Sequence, residues 1–153
     1  MTALTSDRNT PRAAGSILSL PMAAVLIYAG AIVCRNATGY ATKGAVSTTL
    51  VGVGRANERV DNSGGVAGDR RINVEPGVFR FANSADTDAI AIADIGKPCY
   101  VVDDQTVAKT SGTNTRSIAG FIVDVDAQGV WVEFNEARVR SHIAGITLPE
   151  GGG

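Results

Sequence analysis

The chain has 153 residues, of which 44% are apolar and 19% charged, and its net charge is −1. This length is sufficient for one domain with its own hydrophobic core, without support from disulfides or metals. Because 14 basic residues are scattered among 15 acidic ones, no field of a single sign exists to hold a polyanion or an anionic membrane. We therefore expect neither nucleic acid nor a membrane as a partner.

Residues 1–24 are predicted to form an extended N-terminal arm. Small and polar residues predominate at its beginning and follow no sustained period, which is typical of a terminal segment outside a core. We expect such an arm to become ordered against a neighbouring protein, with apolar side chains in grooves and arginines against carboxylates. The residues predicted to make these contacts are Arg8, Arg12, Ile17, Leu18 and Leu20.

The apolar run Leu20–Cys34 has two interpretations. Two arginines precede it, and Ala29-Gly30-Ala31 resembles the cleavage site of a signal peptide. Pro21 and Gly30 interrupt the run, which is also shorter than the ~20 apolar residues that span a bilayer. We favour a buried first strand over a signal peptide.

Residues 25–135 are predicted to form a β-rich domain. Short apolar stretches are separated by turn-forming residues at regular intervals, a spacing typical of a sandwich or barrel. The predicted strands are Val25–Cys34, Gly39–Thr42, Leu50–Ala56, Arg71–Glu75, Val78–Ala82, Ala89–Ala93, Cys99–Asp103, Thr106–Thr110, Ser117–Val125 and Val130–Asn135. The fold class is therefore predicted as all-β, a small β-barrel or β-sandwich.

Turn chemistry separates several of these strands. Hairpins are predicted at four places, which are Asn36–Gly39, Pro76-Gly77, Asp103–Gln105 and Asp126–Gly129. Gly52 and Gly54, inside one strand, predict a bulge or a close approach of two backbones. Residues 57–69 and 111–116 are polar and glycine-rich and are predicted as exposed loops. Residues 136–153 end in Pro-Glu-Gly-Gly-Gly and are predicted as a flexible C-terminal tail.

Few residues suit catalysis or metal binding. Cys34 and Cys99 lie far apart in apolar runs, which predicts two buried free thiols, and His142 is the single histidine. Asp124–Gly129 begins like a calcium loop, but Asn135 stands where the bidentate glutamate belongs, so a hairpin turn is the better interpretation. We expect no enzymatic activity, no metal and no cofactor.

The acidic pairs of the sequence allow a catalytic and a structural interpretation. Asp103-Asp104 and the pair Asp86 and Asp88 resemble the two carboxyl groups that acid–base catalysis requires. Neighbours within one turn point in different directions, however, and turn aspartates usually accept hydrogen bonds from their own backbone. The structural interpretation is preferred, and a hydrolase is disfavoured.

Four sequence phrases follow one another between Gly77 and Phe134. They are GVFRFANS, IGKPCYVVDDQTVAKT, the turn GTNTRS and the closing hairpin DVDAQGVWV. Together they resemble the capsid decoration, or cement, proteins of Mu-like and related tailed bacteriophages. The resemblance implies a compact β-domain on the outer surface of the mature head. There it would bridge major capsid proteins and stabilise the shell.

The same resemblance implies a homo-oligomer, with a trimer favoured, that is made in the bacterial host cytoplasm and ends in the virion. The resemblance implies no catalytic residues. The alternative is a carbohydrate- or receptor-binding β-module of a head fibre or adhesin. Such sites usually display several exposed aromatics, and the one Trp, three Tyr and four Phe of this chain mostly fall within strand patterns.

Overall fold

The computed structural model describes residues 2–9 and 16–147, without the side chains of residues 146 and 147. In this part of the chain, far more residues lie in strands than in helices, and the all-β prediction is confirmed. The strands are β1 (Leu18–Pro21), β2 (Leu26–Ile27), β3 (Ile32–Arg35), β4 (Ala41–Lys43), β5 (Val51–Ala56), β6 (Val60–Asp61), β7 (Arg71–Glu75), β8 (Gly77–Asn83), β9 (Pro98–Val101), β10 (Thr106–Ala108), β11 (Ile118–Asp126) and β12 (Gly129–Phe134). One helix, α1 (Glu136–Thr147), follows them.

The first half of the chain builds a five-stranded sheet in the order β1-β7-β5-β3-β4, in which all neighbours are antiparallel. An isolated parallel bridge between Met22 and Ala41 joins the chain just beyond β1 to β4. The two edges of the sheet therefore meet at this point, and β2 and β6 form a separate two-stranded pair beside it.

The second half builds a closed five-stranded barrel in the order β10-β8-β12-β11-β9. β10 closes the barrel because it pairs with β9 on one side and, in parallel, with β8 on the other. All five strands lie between Gly77 and Phe134, so the stretch that carries the resemblance coincides with the barrel. Inside it, the rings of Phe81 and Phe134 meet edge to face with centroids 5.6 Å apart, an arrangement that aromatic pairs prefer.

Strand β3 contributes to both hydrophobic cores. Successive side chains of a strand point to opposite faces, and Val33 accordingly packs in the core of the first sheet while Ile32 and Cys34 pack in the core of the barrel. All three are fully buried. Strand β3 therefore belongs to both cores.

The predicted close approach of backbones occurs at both glycines of β5. A Cβ atom on Gly52 would lie 1.8 Å from the carbonyl oxygen of Ala119 in β11, and one on Gly54 would lie 2.3 Å from that of Glu75. The pairing of β3 with β5 also shifts register between Val33 and Cys34, as a bulge does. Glycine is required at position 52 because a side chain there would separate the sheet from the barrel, and at position 54 because a side chain would collide with the end of β7.

Three of the four predicted hairpins are confirmed. The turn at residues 36–39 joins the paired strands β3 and β4, residues 103–105 join β9 to β10, and residues 126–129 join β11 to β12. In the last of these, Asp126 Oδ1 accepts hydrogen bonds from the N–H groups of Gln128 and Gly129. The prediction at Pro76-Gly77 is wrong, because these residues connect β7 of the sheet to β8 of the barrel.

The predicted loop at residues 57–69 is mostly exposed but is attached to the core at one residue. Asn62 is 2% exposed, and its Nδ2 donates hydrogen bonds to the carbonyl oxygens of Ala23 (3.1 Å) and Val66 (3.0 Å) and more weakly to that of Met22. The loop also contains β6, which the sequence pattern did not indicate. Buried amide hydrogen bonds thus replace the apolar contacts that usually hold a loop.

The predicted arm is wrong from residue 18 onwards. Leu18–Pro21 form β1, whose four residues pair with residues 71–74 of β7, and Leu20 is 8% exposed in the core of the first sheet. The alternation of Leu18 and Leu20 with Ser19 fits a strand with one buried face. The domain therefore begins near residue 18 rather than at residue 25.

Two further sequence predictions are corrected. Residues 136–147 form α1 rather than a flexible tail, because Asn135 Oδ1 accepts a hydrogen bond from the N–H of Arg138 (3.0 Å) as an N-cap and Val139 is fully buried. The rest of the predicted tail, residues 148–153, lies outside the described residues.

The predicted strand at residues 89–93 is irregular and overlaps a 3-10 turn. The Asp94 carboxylate caps the start of this turn by accepting a hydrogen bond from the N–H of Ala91. Among the described residues no helix is long and apolar enough to cross a membrane.

Candidate interaction surface

Residues 2–9, which precede β1 in the sequence, form an exposed segment. Every described side chain of residues 2–9 is exposed, and Leu4 is 73% exposed. Within the described part of the chain, no hydrogen bond or ion pair joins this segment, which includes Arg8, to the domain. The side chains of this segment are therefore available for contact with another molecule.

The five predicted contact residues fall into three groups. Arg8 and Ile17 are exposed, Ile17 at 46%, whereas Arg12 lies outside the described residues. Leu18 is half-buried against the core of the first sheet, and Leu20 is a member of that core. Leu20 therefore cannot fill a groove on a neighbouring protein without unfolding its own sheet.

The outer edge of β1 is open but short. Asn73 lies opposite Ser19. Its N–H donates to the Glu58 carboxylate, and its carbonyl oxygen accepts from the N–H of Asn57, both on the side of β7 that faces away from β1. Because opposed residues in an antiparallel pair either face each other or both turn away, the backbone groups of Ser19 point outwards. Arg71 donates to the Ser19 carbonyl oxygen, and Pro21 has no N–H. The edge thus offers one backbone donor rather than a long ladder.

A groove lies where β1, the β7–β8 connection and the start of α1 come together, and we name it the β1–α1 groove. Its volume is about 490 Å³, within the range of ~300–1,000 Å³ that is usual for ligand sites. The apolar part of its lining comes from Leu18, Val53, Val78 and Phe134. Val53 and Phe134 are each 1% exposed and Val78 is 45% exposed, so the groove combines a fixed floor with an accessible wall.

All the charged residues that line the groove are glutamates, namely Glu75, Glu133 and Glu136. Arg35 makes a two-point ion pair with Glu136, at 2.8 Å from Nε to Oε2 and 3.1 Å from Nη2 to Oε1, and Arg140 approaches Oε2 at 2.8 Å. Burial by itself raises the pKa of Glu136, but these hydrogen bonds outweigh it and lower the pKa below its ordinary value of 4.5. This carboxylate is ionised at neutral pH.

The other two glutamates keep unused acceptor capacity. Glu75 Oε1 accepts from the side-chain amide of Asn57 at 3.2 Å and lies 3.6 Å from Arg55 Nη2, while Glu133 Oε1 pairs with Arg138. The second carboxylate oxygen of Glu75 and of Glu133 has no partner among the described residues. Since each oxygen of a carboxylate can accept more than one hydrogen bond, both residues can accept a further hydrogen bond, with their charges already paired to Arg55 and Arg138.

The polar groups considered for chemistry have structural partners. Asp103 caps its own turn by accepting from the N–H of Gln105. Hydrogen bonds from Thr110 and Arg116 lower the pKa of Asp88. Cys34 and Cys99 are free and buried, as predicted, and burial raises the pKa of each thiol to about 12, which suppresses thiolate chemistry.

Two aromatic side chains outside the cores are relevant to ligand binding. Tyr28 is 54% exposed, and the guanidinium of Arg59 lies 5.5 Å from the centre of its ring. Trp131 is half-buried, its Nε1 donates to Asp126 Oδ2 at 2.9 Å, and a second arginine covers its ring at 5.5 Å.

Sequence reasoning located the exposed segment but missed the groove. Its lining residues come from β1, β5, β7, β8, β12 and α1 and from the connections beside them, and only the pairing of distant strands brings them together. The alternation of β12 gave one usable signal, because it placed Glu133 on the face opposite to Phe134. No protein-family model, curated protein or solved structure matches the chain.

Proposed function

We propose that this protein is a structural virion protein that binds the outer surface of a phage capsid. It bridges major capsid proteins and thereby stabilises the head, and it acts as a homo-oligomer, with a trimer favoured. The proposal is supported by the resemblance of residues 77–134, whose phrases coincide with the closed barrel. The contact residues proposed for this role are Arg8, Arg12 and Ile17.

The observation that carries the proposal is the exposed segment before β1. Residues 2–9 display an exposed leucine and an exposed arginine. Among the described residues, they make no hydrogen bond or ion pair with their own domain. Ordering such a segment costs about 1–2 kcal/mol per residue in backbone entropy. That cost is met only where many contacts form together, as they do between the subunits of a shell.

The test is a deletion of residues 2–16, which removes the exposed segment and leaves β1 intact. Because Leu18 and Leu20 stay in the sheet, we expect the truncated domain to unfold at nearly the same temperature as the full chain. Binding to preformed capsids that lack this protein, measured by co-sedimentation, should fall at least tenfold. A Val46→Ser variant, which changes an exposed residue (59% exposed) outside the N-terminal segment and outside the loops at residues 57–69 and 111–116, is the control.

Two results would count against the proposal. If the full chain does not bind such capsids at all, the function is wrong. If the truncated chain binds as tightly as the full chain, the segment is not the attachment, and the loops at residues 57–69 and 111–116 become the next surfaces to test.

A further inference from the structure

We infer that the N-terminal segment of one copy binds in the β1–α1 groove of a second copy, with Leu4 against the accessible side chain of Val78 and Arg8 against the free carboxylate oxygens of Glu75 and Glu133. This inference deepens the proposed function, since it names the surfaces through which the homo-oligomer forms. Arg8 then contacts the second copy rather than the capsid, and Arg12 and Ile17 remain for contact with the major capsid protein.

The groove and the segment are complementary in polarity. The groove presents an apolar floor next to carboxylates that have unused oxygens, and Val78 provides accessible apolar surface. The segment presents an exposed leucine four residues before an exposed arginine. Four extended residues span ~13 Å, and Glu75 lies only three residues before Val78, while Glu133 pairs with Val78 across the barrel strands. A leucine against Val78 therefore brings the arginine within reach of either glutamate.

The arrangement of the chain favours a second copy as the partner. The chain enters the domain at Ser16 and Leu18, which themselves line the groove, so its own segment would have to reverse direction at the groove wall. The twelve residues from Leu4 to Ser16 span at most ~40 Å when extended, comparable with the ~35 Å diameter of a domain of this size. The segment is long enough to reach the equivalent groove of an adjacent copy. A contact between two different surfaces of identical copies closes into a ring when the rotation permits.

Photo-crosslinking tests the contact directly. p-Benzoylphenylalanine replaces Val78 in full-length protein, and copies with light and heavy isotopes are mixed before irradiation in the absence of capsids. Trypsin then releases the peptide ending at Arg8 and the peptide of residues 72–80. We expect these two peptides to be joined, with mixed isotope composition. Crosslinks within a single copy only, or none to residues 1–8, overturn the inference. The same probe at Val66 is the control and should not capture residues 1–8.

Sedimentation equilibrium measures the energetic contribution of each contact. We expect Leu4→Ser to weaken self-association about tenfold or more, since it removes one buried aliphatic side chain, and Arg8→Glu to weaken it further because it places a like charge beside the glutamates. Leu4→Ile should retain most of the association. Val46→Ser, at a loop residue that is 59% exposed, should have no effect. Equal association constants for all variants, or a wild-type chain that stays monomeric, overturn the inference.

The two proposals fail in distinguishable ways. Wild-type protein that binds capsids but neither self-associates nor crosslinks refutes the exchange of segments and leaves the attachment to capsids intact. Protein that self-associates through Leu4 but does not bind capsids refutes the attachment alone.

Discussion

A methyl group added at Gly52 should separate the sheet from the barrel. The Cβ of Gly52→Ala would lie 1.8 Å from the backbone oxygen of Ala119, whereas nonbonded carbon atoms in proteins approach no closer than about 3 Å. β5 and β11 would therefore have to move apart by about 1 Å along a packed interface. A gap of that size forfeits roughly a quarter to a half of each dispersion contact across it.

The expected loss in the free energy of unfolding follows from the surroundings of Gly52. Val51 and Val53 flank it and face buried clusters, so the displacement disturbs both of their environments. Overpacking in a close-packed interior costs about 1–3 kcal/mol, and because the obstructing atom is backbone and cannot rotate away, we expect about 3 kcal/mol. Urea unfolding followed by the fluorescence of Trp131 measures this difference in the free energy of unfolding.

Gly64→Ala is the matched control. It introduces the same methyl group at a loop position where no atom lies within 4 Å of the new Cβ, and we expect a change within about 0.5 kcal/mol. If Gly52→Ala unfolds at the same urea concentration as the wild type, the close approach of the two backbones is not rigid and the reasoning fails.

Two further predictions concern buried polar contacts. Glu136→Gln should lower the free energy of unfolding by about 1 kcal/mol at neutral pH, because it breaks the charged pair with Arg35. The folded-state pKa of Glu136 is lowered. The contribution of its ion pair to the free energy of unfolding is therefore fully present above the ordinary pKa of 4.5 and is lost as the pH falls through the folded-state pKa. The difference between wild type and variant, measured by chemical denaturation from pH 7 to pH 3, should shrink accordingly, and a difference that grows on acidification contradicts the assignment. Asn62→Asp should destabilise by about 3 kcal/mol at pH 7, as it places a carboxylate against three carbonyl oxygens; an unchanged thermal midpoint would show that the loop is held elsewhere.

The sequence predicted the features that depend on local chemistry. Turn residues such as Asp126 accept hydrogen bonds from the next few N–H groups, so the hairpin they form is readable from a short window. The close approach at Gly52 was readable for a similar reason, since a glycine inside an apolar strand commonly marks a bulge or a place where another backbone comes close. The buried thiols at Cys34 and Cys99 followed from the apolar runs around them.

Features that depend on tertiary context were missed. Phe121, Val123 and Val125 occupy alternate positions of β11, a pattern that predicts one shared face, but a register shift between Ile122 and Asp124 leaves Val123 45% exposed. Helix α1 carries an N-cap signal at Asn135, which the glycine-rich end of the chain obscured. The groove could not be predicted, because its glutamates become neighbours only after the sheet and the barrel have packed.

Strand β3 limits how this chain can be divided. The barrel strands occupy one uninterrupted stretch from Gly77 to Phe134, which suggests a module that recombination or cloning could transfer by itself. Its interior, however, is completed by Ile32 and Cys34 from β3, far upstream. A fragment cut at Pro76 would expose that interior to water and would be expected to aggregate. Exchange between related genes can therefore preserve a folded product only when the whole of residues 18–147 moves together.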